Sequence, residues 1–269
     1  MRSALVATVQ HREAVTSCHV LLRLEAPEVA AAARPGQFVH VRVSDTCDPL
    51  LRRPFSVMQA VPSRGLIDLL VQIVGRGSEQ VAAAVPGQRL SLLGPLGEPF
   101  PLPPPGPRLF LVAGGVGVAP LLFLAETLAR SSGDHDLTGL FGARTEALLC
   151  CWQELAGRCR EFTAVTEDGS VGTPGLVTDV LAEQLDGTPG EAVVYACGPG
   201  PMLAAVAADC RERGVAAFVS LERWMGCGVG ACLGCVVPSA RPAGPRYLRV
   251  CADGPVFAAA DLDWGAMVW

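Results

Sequence analysis

The sequence predicts a β plus α/β chain in three parts: an antiparallel six-stranded barrel, a parallel α/β sheet, and a small cysteine-rich segment at the end. Three observations carry that expectation. Six short strand-like runs precede residue 100, strands alternate with helical stretches beyond residue 107, and Cys227, Cys232, Cys235 and Cys251 crowd the last fifth of the chain.

In the first part the strand-like runs are 4–10, 17–24, 38–43, 55–60, 66–74 and 88–93. Turn-formers stand between them at Pro35-Gly36, Asp48-Pro49, residues 62–65 and Pro86-Gly87, and six strands at that spacing suggest a barrel. The proline-rich stretch 101–107 reads as a stiff linker. After it, strands at 108–113, 137–141, 161–166, 192–196 and 217–220 alternate with helices near 119–130, 146–157, 176–185 and 201–213, the rhythm of a parallel sheet. The expected boundaries are 1–103, 104–220 and 221–269. The last 49 residues are too few to hold a core of their own unless a metal centre staples them.

Composition narrows the function classes. A formal charge of −5 supplies no basic face, which makes nucleic acid and anionic membrane poor partners. The mean hydropathy of +0.37 is high, and residues 109–129 are nearly uncharged, so a membrane helix competes there. Gly114, Gly115, Gly117, Pro120 and Glu126 argue instead for a buried strand, a glycine turn and a core-facing helix. Eleven cysteines, an odd number, with no charged-then-apolar leader, predict a reducing, cytoplasmic setting. The seven cysteines outside the terminal group read as small buried hydrophobes.

The terminal cysteines carry the sharpest chemistry. Their C-x4-C-x2-C…C spacing, with fifteen residues between Cys235 and Cys251, is that of a plant-type [2Fe–2S] site. Gly226, Gly228, Gly230 and Gly234 let backbone N–H groups approach sulfur. A structural zinc also takes four cysteines, and disulfides are a third reading, although zinc sites usually combine two short pairs. A cluster moves single electrons and makes no bonds, so the first reading makes the chain a charge relay.

Other loops admit ligands, each with a plainer alternative. Arg53 and Ser56 in Arg52-Arg-Pro-Phe-Ser56 put a cation and a hydroxyl three residues apart, and Gly75-Arg-Gly-Ser78 opens a candidate helix. Such groups can clamp a pyrophosphate, but taken alone the first is more often a surface ion pair and the second more often an ordinary turn. Val112-Ala-Gly-Gly-Val-Gly-Val-Ala-Pro120 follows a strand and precedes a helix, as a dinucleotide loop does, or as tight packing does. Cys197-Gly-Pro199 lies after another sheet strand, where Cys197 could touch a nicotinamide ring or simply be a buried spacer. Thr166-Glu-Asp-Gly-Ser-Val-Gly172 is by itself a turn, and Arg144 is either a 2′-phosphate ligand or a solvated side chain.

Taken in order, these motifs resemble the ferredoxin–NADP reductase-like superfamily, and within it the electron-transfer subunits of NAD-dependent dihydroorotate dehydrogenase. The resemblance implies that the barrel binds FAD, the α/β part binds NAD(H), and the cluster faces an FMN-containing catalytic subunit, two of each forming a heterotetramer in pyrimidine biosynthesis. It places Arg53, Pro54, Phe55 and Ser56 on the flavin segment, Leu70, Val71 and Gln72 on the strand along the FAD, and Gly77 and Ser78 at its phosphates. Gly114, Gly115, Gly117, Cys197, Gly198 and Pro199 fall on the nucleotide loops, and Cys227, Cys232, Cys235 and Cys251 on the cluster ligands. Phe55, Gln72 and Ala113 depart from the family pattern, Gln72 where a basic residue often sits. A rival is a reductase subunit of a sulfite reductase, sulfhydrogenase or bifurcating ferredoxin reductase, though bifurcating relatives tend to place aspartate where Cys227 stands. A second rival is a zinc-stapled binding module with no redox role. His11, His19, His40 and His135 are scattered and form no acid–base set. Trp224, Val229 and Leu233 are expected as an exposed apolar rim round the cluster, and Trp269 as a frayed end rather than a shield over the flavin.

Overall fold

The structure, a computed structural model, describes residues 4–269 except 45, 104–105, 132–134 and 189–190, so part of the expected linker lies outside the described residues. The first part runs β1 (Leu5–Ala14), β2 (His19–Glu25), α1 (Pro27–Ala32), β3 (Phe38–Val41), β4 (Arg53–Val61), β5 (Leu66–Gln72), α2 (Arg76–Ala82) and β6 (Arg89–Leu96). The six strands close into an antiparallel barrel in the order β1-β2-β5-β4-β3-β6. Alternation along the strands sends Val20, Leu22, Leu24, Val39, Val41, Ile67, Leu69 and Val71 into the barrel. Across β2 and β5, Arg23 donates two hydrogen bonds to the buried Asp68, at 2.8 and 2.7 Å. The sequence reading passed over α1, whose six residues, with proline at the first turn, are too short for helical periodicity to show.

The second part contains β7 (Arg108–Gly114), α3 (Val118–Arg130), β8 (Leu137–Ala143), α4 (Trp152–Ala156), β9 (Glu161–Thr166), β10 (Thr173–Pro174), α5 (Val177–Asp186), β11 (Ala192–Cys197), α6 (Gly200–Glu212) and β12 (Ala216–Ser220). After these come β13 (Val236–Pro238), β14 (Tyr247–Arg249) and β15 (Val256–Ala258). The main sheet has the order β10-β9-β8-β7-β11-β12-β15, parallel as far as β12. β15 is antiparallel and adds an edge the sequence reading did not anticipate. The helix expected over 146–157 is instead a 3-10 turn at Glu146–Leu148 followed by the five-residue α4. Cys151 between them takes a left-handed φ of 55°, which no helix continues through. Among the described residues no helix is long and apolar enough to cross a membrane.

The cysteine segment is sewn to both larger parts. β15 pairs with β12 at Val219↔Phe257, Leu221 N–H donates to the Pro255 carbonyl at 2.9 Å, and Glu98 N–H, just past the last barrel strand, donates to the Gly254 carbonyl at 2.6 Å. Cys235 and Cys251 are buried in one apolar cluster with Leu221, Val237, Leu248 and Val250. The core of the cysteine segment is thus continuous with that of the sheet, which is how so short a piece acquires one.

Candidate functional site

The barrel presents one outer face to the rest of the molecule, and strand register sets its composition. Phe38 pairs with Ser56 and His40 with Pro54 across β3 and β4, so these four share a face opposite to Val39 and Val41. Arg53 beside them reaches α2: a Cβ added to Gly77 would fall 2.7 Å from its Nε. Two motifs 24 residues apart in sequence therefore meet, giving a guanidinium over a glycine backbone, a shape suited to a phosphate. Ser78 also shapes the turn that leads into α2. Its buried hydroxyl accepts from the Val74 and Gly75 amides, at 2.9 and 3.2 Å, and donates to the Gly75 carbonyl, so it holds the turn that begins α2. On β5, Leu70 packs with the α/β core and Val71 with the barrel interior, while Gln72 is half-buried at the strand end, opposite His19. Phe55 packs against the barrel interior.

At the carboxyl edge of the parallel sheet the loops after β7 and β11 interlock. A Cβ on Gly114 would fall 2.6 Å from Met202 Sδ and 2.7 Å from Pro199 Cδ, and one on Gly117 would overlap the Cys197 carbonyl. Gly198 sits equally close to Gly114. These glycines are needed for the loops to pack; Gly115, at φ 53°, faces open space, where a ligand could approach its backbone. The Cys150 thiol donates to the Gly115 carbonyl at 3.8 Å from underneath. The loop at 166–172 satisfies itself: Thr166 Oγ1 donates to the Val171 carbonyl, and Asp168 accepts from the Ser170 amide and hydroxyl.

Cys197 is buried at the end of β11, and burial pushes its pKa up, with the Glu222 charge adding to the rise and the facing Ser220 hydroxyl opposing it. Sequence reasoning missed Glu222. Its side chain is exposed, and desolvation by the protein around it pushes its carboxyl above the usual range. The only sequence signal was its place two residues past a sheet strand, on the edge where open α/β sheets bind ligands. Trp269, expected to fray, is half-exposed yet held on one side: its ring lies over Gly200, 6.2 Å from the Trp264 ring and 5.4 Å from the Arg223 guanidinium, and Arg223 donates to the Val268 carbonyl.

The four terminal cysteines stand in two pairs among backbone amides, Cys227 with Cys232 and Cys235 with Cys251, and among the described residues no three possible ligands gather as closely as a single metal ion requires. Val229, Ala231 and Cys232 N–H groups point at Cys227 Sγ (3.4, 3.2 and 3.4 Å), Gly230 at Cys251 (3.2 Å), Gly234 at Cys232 (3.5 Å), and Cys251 at Cys235 (3.4 Å). Desolvation opposes ionisation of Cys227, but the amides of Val229, Cys232 and Ala231 outweigh it and hold this thiol down to about 6; burial pushes Cys251 up to about 12. Cys227, met by three backbone N–H donors, is prepared for the negative charge that thiolate-bound iron requires, and each of the other three sulfurs receives one such donor, so the donor chemistry of the set fits an iron–sulfur group. The expected rim is exposed, Trp224 at 88% and Leu233 at 60%, with Val229 between them in sequence.

The second residue that sequence reasoning missed joins two of these regions. His40 is 0% exposed, and neither ring nitrogen makes a hydrogen bond. A Cβ on Gly228, in the cysteine loop, would fall 2.5 Å from its Nδ1. Burial pushes its pKa down to about 4, with the charges of Arg52 and Arg53 adding to the fall and the carbonyls of Arg52 and Cys227 opposing it.

A closed barrel joined to a parallel sheet with glycine loops at its carboxyl edge, and a four-cysteine loop set against both, defines a class: an oxidoreductase that handles flavin, pyridine nucleotide and an iron–sulfur cluster. The family comparisons divide the chain in the same way. Residues 7–100 match the oxidoreductase FAD-binding domain, 111–208 the oxidoreductase NAD-binding domain, and 222–263 the iron–sulfur cluster binding domain of dihydroorotate dehydrogenase B. The dihydroorotate dehydrogenase B (NAD(+)) electron transfer subunit of Desulforamulus reducens is 40% identical over 243 residues, 90% of this chain and 92% of its own. That of Geobacillus thermodenitrificans is 43% identical over 245 residues, 90% and 91%. The solved structure of an NADH-dependent reduced ferredoxin–NADP oxidoreductase, described for flavin-based electron bifurcation, superposes with a TM-score of 0.85 at 28% identity, covering 98% of this chain and 92% of that one. The chain belongs to the family of dihydroorotate dehydrogenase B (NAD(+)) electron transfer subunits.

Proposed function

We propose that this chain carries electrons between a catalytic partner and NAD through a [2Fe–2S] cluster and FAD. The partner is an FMN-containing subunit that oxidises dihydroorotate, two copies of each chain forming the complex, in the cytoplasm. The observation that carries this reading is the contact of Gly228 with His40, by which the cysteine loop lies on the barrel face that bears Pro54 and Ser56. When bound, the nicotinamide exchanges hydride, the cluster single electrons, and the flavin both, so the flavin belongs between the other two.

The chain's own residues supply position. Cys227, Cys232, Cys235 and Cys251 hold the iron. Arg53 and the Gly77 backbone hold the FAD phosphates, while Pro54 and Ser56 border its ring, with Leu70 and Gln72 on the neighbouring strand. Gly115 offers its backbone to the nucleotide, and Cys197 with Glu222 walls the nicotinamide end. The exposed Trp224, Val229 and Leu233 meet the partner. A bifurcating-type reductase is the second reading, favoured by the 0.85 superposition; the thiol at Cys227 speaks for the first.

The experiment is anaerobic purification followed by absorption spectroscopy, iron and acid-labile sulfide assay, and NADH-to-dye reduction. Flavin and iron–sulfur absorption with NADH activity is expected, together with co-purification of a dihydroorotate-oxidising FMN subunit. Colourless protein holding zinc and no sulfide overturns the proposal.

A further inference from the structure

His40 is a buried side chain to which the electron path assigns no task. Of the four histidines it is the one with no accessible surface and with both nitrogens lacking hydrogen bonds. A buried polar ring without partners is rare, and an aliphatic side chain would fill the same space without its desolvation cost. Its neighbours explain its chemistry. On the barrel side it pairs with Pro54 across β3 and β4, and its own carbonyl accepts from Arg52 Nη1 at 3.2 Å. On the other side the ring presses on Gly228, which takes a φ of 69°. No hydrogen bond joins the ring to either side, but the Arg52 and Cys227 carbonyls lie near enough to favour its protonated form. One imidazole therefore spans the gap between the strand carrying the flavin segment and the residue that carries the first cluster thiolate.

We propose that His40 is a positioning residue for the iron–sulfur cluster: its plane seats Gly228, and its ring N–H, unbonded here, closes on the Cys227 carbonyl when the loop holds the cluster, so that the cysteine loop is kept at a fixed place on the flavin face of the barrel. This rests on the [2Fe–2S] reading of the cysteines. An imidazole does both jobs because it combines a flat face for a glycine Cα with a donor at its rim. Leucine offers neither. The arrangement parallels the outer groups that orient metal ligands, here acting on a ligand's backbone.

The test compares wild-type protein with His40→Leu and His40→Asn, the latter keeping a donor near the place of Nδ1. Each is purified anaerobically and followed for the rate of cluster bleaching by a chelator, the EPR spectrum of the reduced cluster, and FAD content. His40→Leu is expected to lose its cluster about tenfold faster than wild type and to show a broadened EPR signal, with FAD retained. His40→Asn is expected to stay near wild type on both readouts. Equal rates and spectra in His40→Leu overturn the proposal, as does an Asn variant as labile as Leu, because packing volume alone would then be responsible. Loss of FAD in step with the cluster overturns it too, by showing general loosening of the barrel. Should His40→Leu not fold, a crystal structure of the wild-type holoprotein decides: a ring nitrogen within hydrogen-bond distance of the Cys227 carbonyl supports the role, and a ring turned away overturns it. If wild-type protein binds no iron, the cluster reading itself falls; if only the variants match wild type, that reading stands and the role of His40 is lost.

Discussion

Cys227 shows how backbone geometry tunes a single side chain. Three amides converge on its sulfur, and together they outweigh desolvation and hold the thiol near 6, against an ordinary value of 9.0. A group whose pKa is depressed on folding stabilises the fold fully above its unfolded value and loses that contribution as pH falls through the folded one. In protein stripped of iron, the contribution of Cys227 is therefore complete above about pH 9 and gone below about pH 6. The same shift makes it a thiolate at neutral pH. Carboxymethylation of Cys227 in reduced, metal-free protein, followed by peptide mass spectrometry, is expected to rise with a midpoint near pH 6 and to level off by pH 8. A midpoint at pH 8 or above would mean that the amides do not gather on the sulfur until iron arrives.

At the scale of elements, the interlocked loops after β7 and β11 make a prediction separate from backbone strain. Gly117 has a φ of −60°, which alanine adopts freely, so only the contact with the Cys197 carbonyl excludes a side chain. Gly117→Ala is expected to wedge the loops apart and weaken NADH binding by about 1.4 kcal/mol, about tenfold in Kd, with flavin and iron content unchanged; titration of NADH against flavin fluorescence reads it. Strands such as β2 and β5 were legible because alternation and turn residues are local signals. The helix at 146–157 was misread because the left-handed turn at Cys151 leaves no mark in composition. β13, β14 and β15 are three residues each, and β15 finds its partner β12 across more than thirty residues, which no window-based reading detects. The same division runs through the site. The four cysteines and the glycine loops are visible from spacing, whereas Glu222 and His40 acquire their surroundings only when distant segments meet.

For the whole molecule, the question is how electrons leave it. Cys235 and Cys251 are buried with the core, while Cys232 is exposed, so the cysteine loop has one side rooted in the protein and one turned to solvent. Trp224, Val229, Leu233 and Tyr247 are all exposed, Leu233 and Tyr247 line one groove, and Leu233 is held at a left-handed φ of 58°. A glycine or an asparagine would be less strained there, and a polar residue better hydrated, so keeping an exposed leucine at such an angle costs about 1–2 kcal/mol and calls for a return outside the isolated chain. A partner covering the rim provides one, since a desolvated leucine at an interface centre contributes to affinity while the cluster comes within reach of the second subunit. Leu233→Asp separates folding from docking, because aspartate accepts the left-handed region better than leucine and should not harm the fold. The variant is expected to reduce NADH-to-dye activity less than twofold and to weaken partner binding by about 3 kcal/mol, more than a hundredfold in Kd, as read by co-purification and by titration of the catalytic subunit. Undiminished assembly would move the docking surface away from the cysteine loop, and electrons would then have to leave by another face.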